Sequence, residues 1–127
     1  MDNLLDTHSF IWFIEGNKQL SAVARKAIEH AGVVNYISIA SLWEIAIKIS
    51  LGKLELKSNF LKVGKLIESN GFRVLPITFQ DTQQLLDLPF HHRDPFDRII
   101  ISQAISNKLN IVTKDSNFSA YTVSLVW

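Results

Sequence analysis

The chain has 127 residues, a mass of 14.4 kDa and a net charge of +1. With 47% hydrophobic and 20% charged residues it can build one packed core, which excludes intrinsic disorder. It has no cysteine, which excludes disulfide scaffolds, zinc–thiolate centres, iron–sulfur clusters and thiol nucleophiles, and its near-neutral balance gives no support to nucleic-acid binding by bulk charge.

The N-terminal stretch MDNLLDTHSF lacks the basic start and apolar core of a signal peptide. No apolar run approaches the roughly 18 residues of a membrane span. The expectation is a soluble, cytoplasmic, single domain over residues 1–127. Leu4-Leu5 before Asp6 reads as a short buried strand. His8 to Ile14 reads as a buried helix ended by Gly16-Asn17. Leu20, Val23, Ala24, Ala27, Ile28 and Ala31 keep helical spacing, with Ser21 near the start and Gly32 at the close. Val33 to Ile37 is a second strand, and Ala40 to Leu51 a helix ended by Gly52. Phe60 to Ile67 is a further helix, stopped by Asn70-Gly71. Arg73 to Ile77 is a third strand, and Thr78 caps a short helix through Leu86. Asp94-Pro95 is a helix start, with aspartate at the cap and proline in the first turn. That helix carries apolar residues from Phe96 to Leu109. Ile111 to Thr113 and Tyr121 to Val126 are the last two strands. The alternation predicts an α/β fold with a mostly parallel sheet, whose chemistry belongs beyond the carboxyl ends of its strands.

Four acids fall where that rule points. Asp6 follows the first strand and Asp115 the fourth. Glu44 lies in the helix after the second strand, and Asp97 one turn into the helix that Asp94 caps. Carboxylates gathered at one sheet edge raise one another's pKa, and a divalent cation relieves the conflict. An all-oxygen set suits magnesium or manganese, ions that align a phosphodiester and activate water. Each acid also has an ordinary reading. Asp6 can cap the next helix, and Asp115 can belong to a turn. Glu44 has capping-box spacing from Ser41 and an i,i+4 partner in Lys48. Asp97 suits a first helical turn, and Asp94 is fully explained as a cap. In favour of function, the Glu44 helix is apolar except for a stripe of Ser41, Glu44 and Lys48.

Other groups carry less. His91-His92 reads as loop packing or capping, because adjacent histidines do not easily face one ion. Ser9, Ser38 and Ser102 lack a glycine-flanked elbow, and there is no glycine-rich phosphate loop. Lys53, Lys57, Lys62 and Lys65 read as solvated, whereas Lys48 and Arg98 could hold phosphates beside a metal, with Lys114 a weaker candidate.

Taken together, these segments resemble a PIN-domain ribonuclease of the VapC toxin type. The matching stretches are Leu4-Leu5-Asp6-Thr7-His8, Ser41-Leu42-Trp43-Glu44-Ile45, Gly52-Lys53-Leu54-Glu55-Leu56, His92-Arg93-Asp94-Pro95-Phe96-Asp97-Arg98 with Ile101-Ser102-Gln103-Ala104, and Val112-Thr113-Lys114-Asp115. The resemblance implies a three-layer α/β/α sandwich with a five-stranded parallel sheet, and a magnesium- or manganese-dependent endoribonuclease acting as a toxin. It implies that Asp6, Glu44, Asp97 and Asp115 form the acidic quartet, with Asp6 and Asp97 as direct metal ligands. Thr7 and Thr113 would orient carboxylates or waters beside the RNA substrate. It also implies a cognate antitoxin and a homodimer. The run Phe10 to Ile14 and Trp43 would supply apolar surface for such a partner, since a domain of this size is not expected to bury them all.

Two readings of other classes compete. A phosphoacceptor signalling domain would need a paired acid after the first strand and a lysine after the fifth, and the chain ends at Val126-Trp127 without one. A non-catalytic binding module on the same fold would not require the intact quartet.

Overall fold

The computed structural model describes residues 1–127. Its elements are β1 (Asn3–Leu5), α1 (Thr7–Glu15), α2 (Ala22–Glu29), β2 (Asn35–Ser38), α3 (Ile39–Ser50), α4 (Phe60–Ser69), β3 (Arg73–Leu75), α5 (Phe79–Leu86), α6 (Pro95–Asn107), β4 (Asn110–Val112), a 3₁₀ turn (Ser116–Ala120) and β5 (Leu125–Val126). The five strands are all parallel, in the order β3-β2-β1-β4-β5. The chain winds outward from β1 to β3, then crosses back to β4, so the order switches between β1 and β4. None of the helices is long and apolar enough to cross a membrane.

Alternation along the strands builds the three layers. Leu5, Ile37 and Val112 are level in register and join Phe10, Ile11, Leu20, Ala24, Ile28, Ile45 and Val63 in one cluster, under α1 to α4. Their neighbours Leu4 and Ile111, with half-buried Tyr36, face the other way into a second cluster with Ile100, Ile101, Ala104 and Phe118. That second face is covered by α5, α6 and the 3₁₀ turn. The predicted α/β/α sandwich is what the chain forms.

At the opposite end of the sheet from the acids, three asparagines stand level across the central strands. Asn3 donates to the Asn35 side-chain oxygen at 2.9 Å and accepts from the Asn110 amide at 3.3 Å. Asn35 then donates to the carbonyl of Ile28 at 2.7 Å, tying α2 to the row.

Several boundaries differ from expectation for local reasons. The third strand stops at Leu75 because Pro76 has no N–H to give the ladder. Of the segment expected as the last strand, Tyr121 to Val126, only Leu125–Val126 is strand, and a 3₁₀ turn over Ser116–Ala120, capped by Asp115, precedes it. The α3 cap is Ser38, whose hydroxyl accepts from Ala40 N–H at 3.0 Å, so Ser41 is interior and no capping box joins it to Glu44. The apolar run in α1 is largely absorbed by the fold. Phe10 and Ile11 are buried, and Trp12, Phe13 and Ile14 pack against the first cluster. Exposed large apolar side chains lie instead at Trp43, Phe79, Leu86 and Phe90.

Candidate functional site

Each acid reaches the carboxyl edge of the sheet through a defined local structure. Asp6 caps α1: Oδ1 accepts from Ser9 N–H at 2.8 Å, and Oδ2 accepts from the Thr113 hydroxyl at 2.6 Å. Burial pushes its pKa up, against the pull of those hydrogen bonds. Asp115 begins the 3₁₀ turn after β4, and its N–H donates back to Thr113 Oγ1 at 3.0 Å. Thr113 therefore links Asp6 to Asp115 across the strand-order switch.

Glu44 is buried on α3 and held from two sides. The Thr7 hydroxyl donates to Oε1 at 2.7 Å and shares a second hydrogen bond of 2.9 Å with Ser41. Lys48 Nζ pairs with Oε2 at 2.7 Å from a half-exposed position. Asp97 sits in the first turn of α6. Asp94, the cap, accepts from the N–H groups of Phe96 and Asp97 at 2.9 and 3.0 Å, so the two aspartates divide capping from site. The Asp97 carboxyl is pushed up to about 7, first by burial, then by the negative charge of Asp94, with Asp6 and Glu44 adding to the rise and His92 opposing it. Three acids acting on one carboxyl is the electrostatic signature of a converged cluster.

His92 is the residue that sequence reasoning set aside as packing. Its Nε2 lies 3.0 Å from Asp97 Oδ2 and 3.3 Å from Asp115 Oδ2. The three ligand-capable atoms all lie within 4.8 Å of one another. Asp94 N–H approaches Nδ1 at 3.4 Å, which leaves Nε2 as the nitrogen that faces the two carboxylates.

Arg98 is not where it was expected. It is only 6% exposed and is turned away from the acids. Its guanidinium donates to the carbonyls of Pro89 at 2.9 Å, Leu88 at 3.2 Å and His92 at 3.3 Å, and lies 4.0 Å from the Phe90 ring centroid. A planar fork of donors suits a carbonyl-rich loop, and three hydrogen bonds commit this one to backbone carbonyls. Tyr121 completes the fixture, donating to Pro89 O at 2.7 Å and accepting from His92 N–H at 2.8 Å. Arg98 thus acts on the site indirectly, by holding the loop that aims His92. Lys114, rated below it from sequence, does reach the site: with Asp6, His8, Trp12 and Asp115 it lines an open cleft of about 260 Å³.

The family model described as PIN domain matches residues 4–123. No curated protein matches the chain. Among solved structures, it is similar to a chain of VapBC2 from Rickettsia felis bound to a promoter DNA fragment, with a TM-score of 0.73 and 15% identity over 98% of this chain and 97% of that one. It is similar to VapC20 of Mycobacterium tuberculosis, described as a sarcin-ricin loop cleaving toxin, with a TM-score of 0.68 and 16% identity over 96% of each chain. A toxin–antitoxin complex from Klebsiella pneumoniae gives a TM-score of 0.66 and 18% identity over 99% of this chain and 97% of that one. At these identities the likeness is one of fold.

Proposed function

The chain belongs to the PIN-domain family, and from that premise we propose that it is a single-domain, metal-dependent endoribonuclease and the toxin of a toxin–antitoxin pair. The observation that carries the reading is the Asp97 carboxyl, held at about 7 amid Asp94, Asp6 and Glu44 at the edge of a parallel sheet. Ordinary capping acids have no reason to share such strain.

The donor set fits magnesium or manganese. It is dominated by carboxylate oxygens, two of them raised in pKa by burial and so in want of a counter-charge. Asp6 and Asp97 would be the direct ligands, with Glu44 and Asp115 beside them. A divalent cation bound there supplies charge for a phosphodiester oxygen and acidity for a water. The chain's own residues do the rest. Thr113 and Thr7 fix the rotamers of Asp6 and Glu44 by hydrogen bonds. His92 keeps Asp97 and Asp115 at a set separation. Lys48 stands at the rim, where it can leave Glu44 for a phosphate oxygen of the RNA.

The VapBC relatives and the Klebsiella toxin–antitoxin complex support a cognate antitoxin as partner, and the exposed apolar side chains on α3 and α5 support protein contacts, including a homodimer. A cytoplasmic location follows from an RNA target.

The test is cleavage of RNA by the purified chain. Activity with magnesium or manganese, lost in EDTA, is expected. Asp6→Asn and Asp97→Asn should each lower turnover by orders of magnitude, since a lost ligand removes several kcal/mol of charge stabilisation. Expression should arrest bacterial growth, and an Asp6→Asn, Glu44→Gln double variant should not. RNA left intact by the folded, metal-supplied chain would sink the reading. Arrest that persists in the double variant would assign toxicity to binding.

A further inference from the structure

The cleft beside the acids contains more than acid chemistry requires. It is lined by Asp6 and Asp115, by His8 and Trp12, and by Lys114. His8 and Trp12 are four residues apart on α1 and so share a face. Their ring centroids lie 5.8 Å apart at an interplanar angle of 40°. Trp127, at the end of the chain, backs Trp12 at 5.9 Å and holds it in place. The His8 ring is exposed, so the fold does not use it as core. The result is a rigid aromatic shelf that begins two residues after the candidate ligand Asp6.

We propose that this shelf is a nucleobase site: it takes one unpaired base of the RNA next to the scissile phosphate, with Lys114 on the adjoining backbone phosphate. The proposal rests on the RNA-cleaving reading and adds to it the class of nucleotide the site accepts. Three observations favour a base over other occupants. The open cleft, of about 260 Å³, has room for a planar heterocycle. Two of its five lining residues, His8 and Trp12, carry aromatic rings, on which any base can stack. Its charges are divided so that an anion belongs at Lys114 and the metal edge, whereas an apolar peptide side chain would leave two carboxylates facing it. Bases of a duplex are stacked on one another and cannot enter, so the acceptable substrate is a loop, bulge or single strand.

The experiment measures binding of a fluorescein-labelled RNA dodecamer without self-complementarity, by anisotropy, in magnesium. The Asp97→Asn background keeps the RNA intact. His8→Ala, an exposed substitution whose folding is checked by its melting curve, should weaken binding about tenfold. An abasic site walked along the dodecamer should reproduce that loss at one position, and in the His8→Ala protein the same abasic RNA should lose nothing more. With Asp97 restored, His8→Ala should act on KM rather than kcat. Unchanged binding in His8→Ala, losses that multiply instead of coinciding, or equal affinity for a blunt duplex made by annealing the dodecamer to its complement would each overturn the base site. Cleavage by the unaltered chain, measured on the same RNA, keeps the two ideas apart. Cleavage with uncoupled binding removes the base site alone. Coupled binding without cleavage preserves the base site and removes the nuclease.

Discussion

Replacing Asp97 with asparagine should stabilise the metal-free protein while destroying its activity. A folded pKa of about 7 against an ordinary value of 3.8 is a shift of roughly three units, nominally about 4 kcal/mol at 1.36 kcal/mol per unit. The side chain keeps 23% of its exposure, and solvent screening lowers the strain felt by folding to about 2 kcal/mol. The sign follows from proton binding. Above pH 7 both folded and unfolded chains carry the charged carboxylate, and only the folded one suffers for it. As the pH falls through 7 the folded chain takes up a proton that the unfolded chain, titrating near 3.9, does not, so stability rises toward pH 5. At pH 8, Asp97→Asn should therefore melt about 6–10 °C above the wild type, and the gap should narrow at pH 5 and close only near the unfolded pKa of about 3.9. Magnesium at ten times its dissociation constant should add about 1.4 kcal/mol to the wild type and much less to the variant. The assay is a set of thermal melts of both proteins at pH 8 and pH 5, with and without magnesium. A variant less stable than wild type at pH 8, or a wild-type melt that ignores pH, would mean that the carboxyl is not under strain. Equal magnesium shifts in the two proteins would remove Asp97 from the metal site.

Other outcomes follow from the same geometry. Asp94→Asn keeps an N-cap acceptor and should retain activity, whereas Asp94→Ala should cost about 1 kcal/mol of stability in a denaturant titration. Arg98→Ala strands three carbonyls and should lower stability by more than about 2 kcal/mol; Arg98→Lys should not restore it, because an ammonium cannot span the fork. An arginine held for phosphate would instead lose activity at unchanged melting temperature. His92→Phe keeps an aromatic ring against Phe118 but removes the donor, so the Asp97 pKa should rise further, as followed by carboxyl NMR titration.

The fold was legible because its elements are punctuated by chemistry that acts locally. Gly16 takes a left-handed conformation at the end of α1 (φ 64°), where a side chain would be strained. The Asp94-Pro95 start places α6 to the residue. The positions of the four acids were legible for separate local reasons: Asp6 and Asp115 lie just beyond short apolar strands, Glu44 is the acid of an otherwise apolar helix, and Asp97 lies one turn inside the Asp94-Pro95 start. Arg98 and His92 were misjudged because proximity in sequence says nothing about which side of a helix faces a loop. Arg98 is adjacent to Asp97 but lies about 100° around α6, toward the carbonyls of residues 88 to 92. His92 is five residues away and folds back into contact. The asparagine row went unseen because its members are 32 and 75 residues apart along the chain, and only parallel pairing makes them neighbours.

That row has a consequence for the chemistry at the other end of the sheet. The three central strands share a four-residue phrase: Asn3-Leu4-Leu5-Asp6, Asn35-Tyr36-Ile37-Ser38 and Asn110-Ile111-Val112-Thr113. Each begins with an amide whose cross-strand partner is in reach only when the strands are level, and each ends with the oxygen that starts the site or its supporting helix. The amides work as a datum line. A slip of one residue in any strand would set leucine, tyrosine or isoleucine against a buried amide and leave that amide unpaired, at a cost of about 1–3 kcal/mol. With the zero mark fixed, three residues of extended chain deliver Asp6, Ser38 and Thr113 to a common height. The alignment of the carboxylates is thus set by uncharged side chains roughly 10 Å away, which titration and metal binding do not disturb.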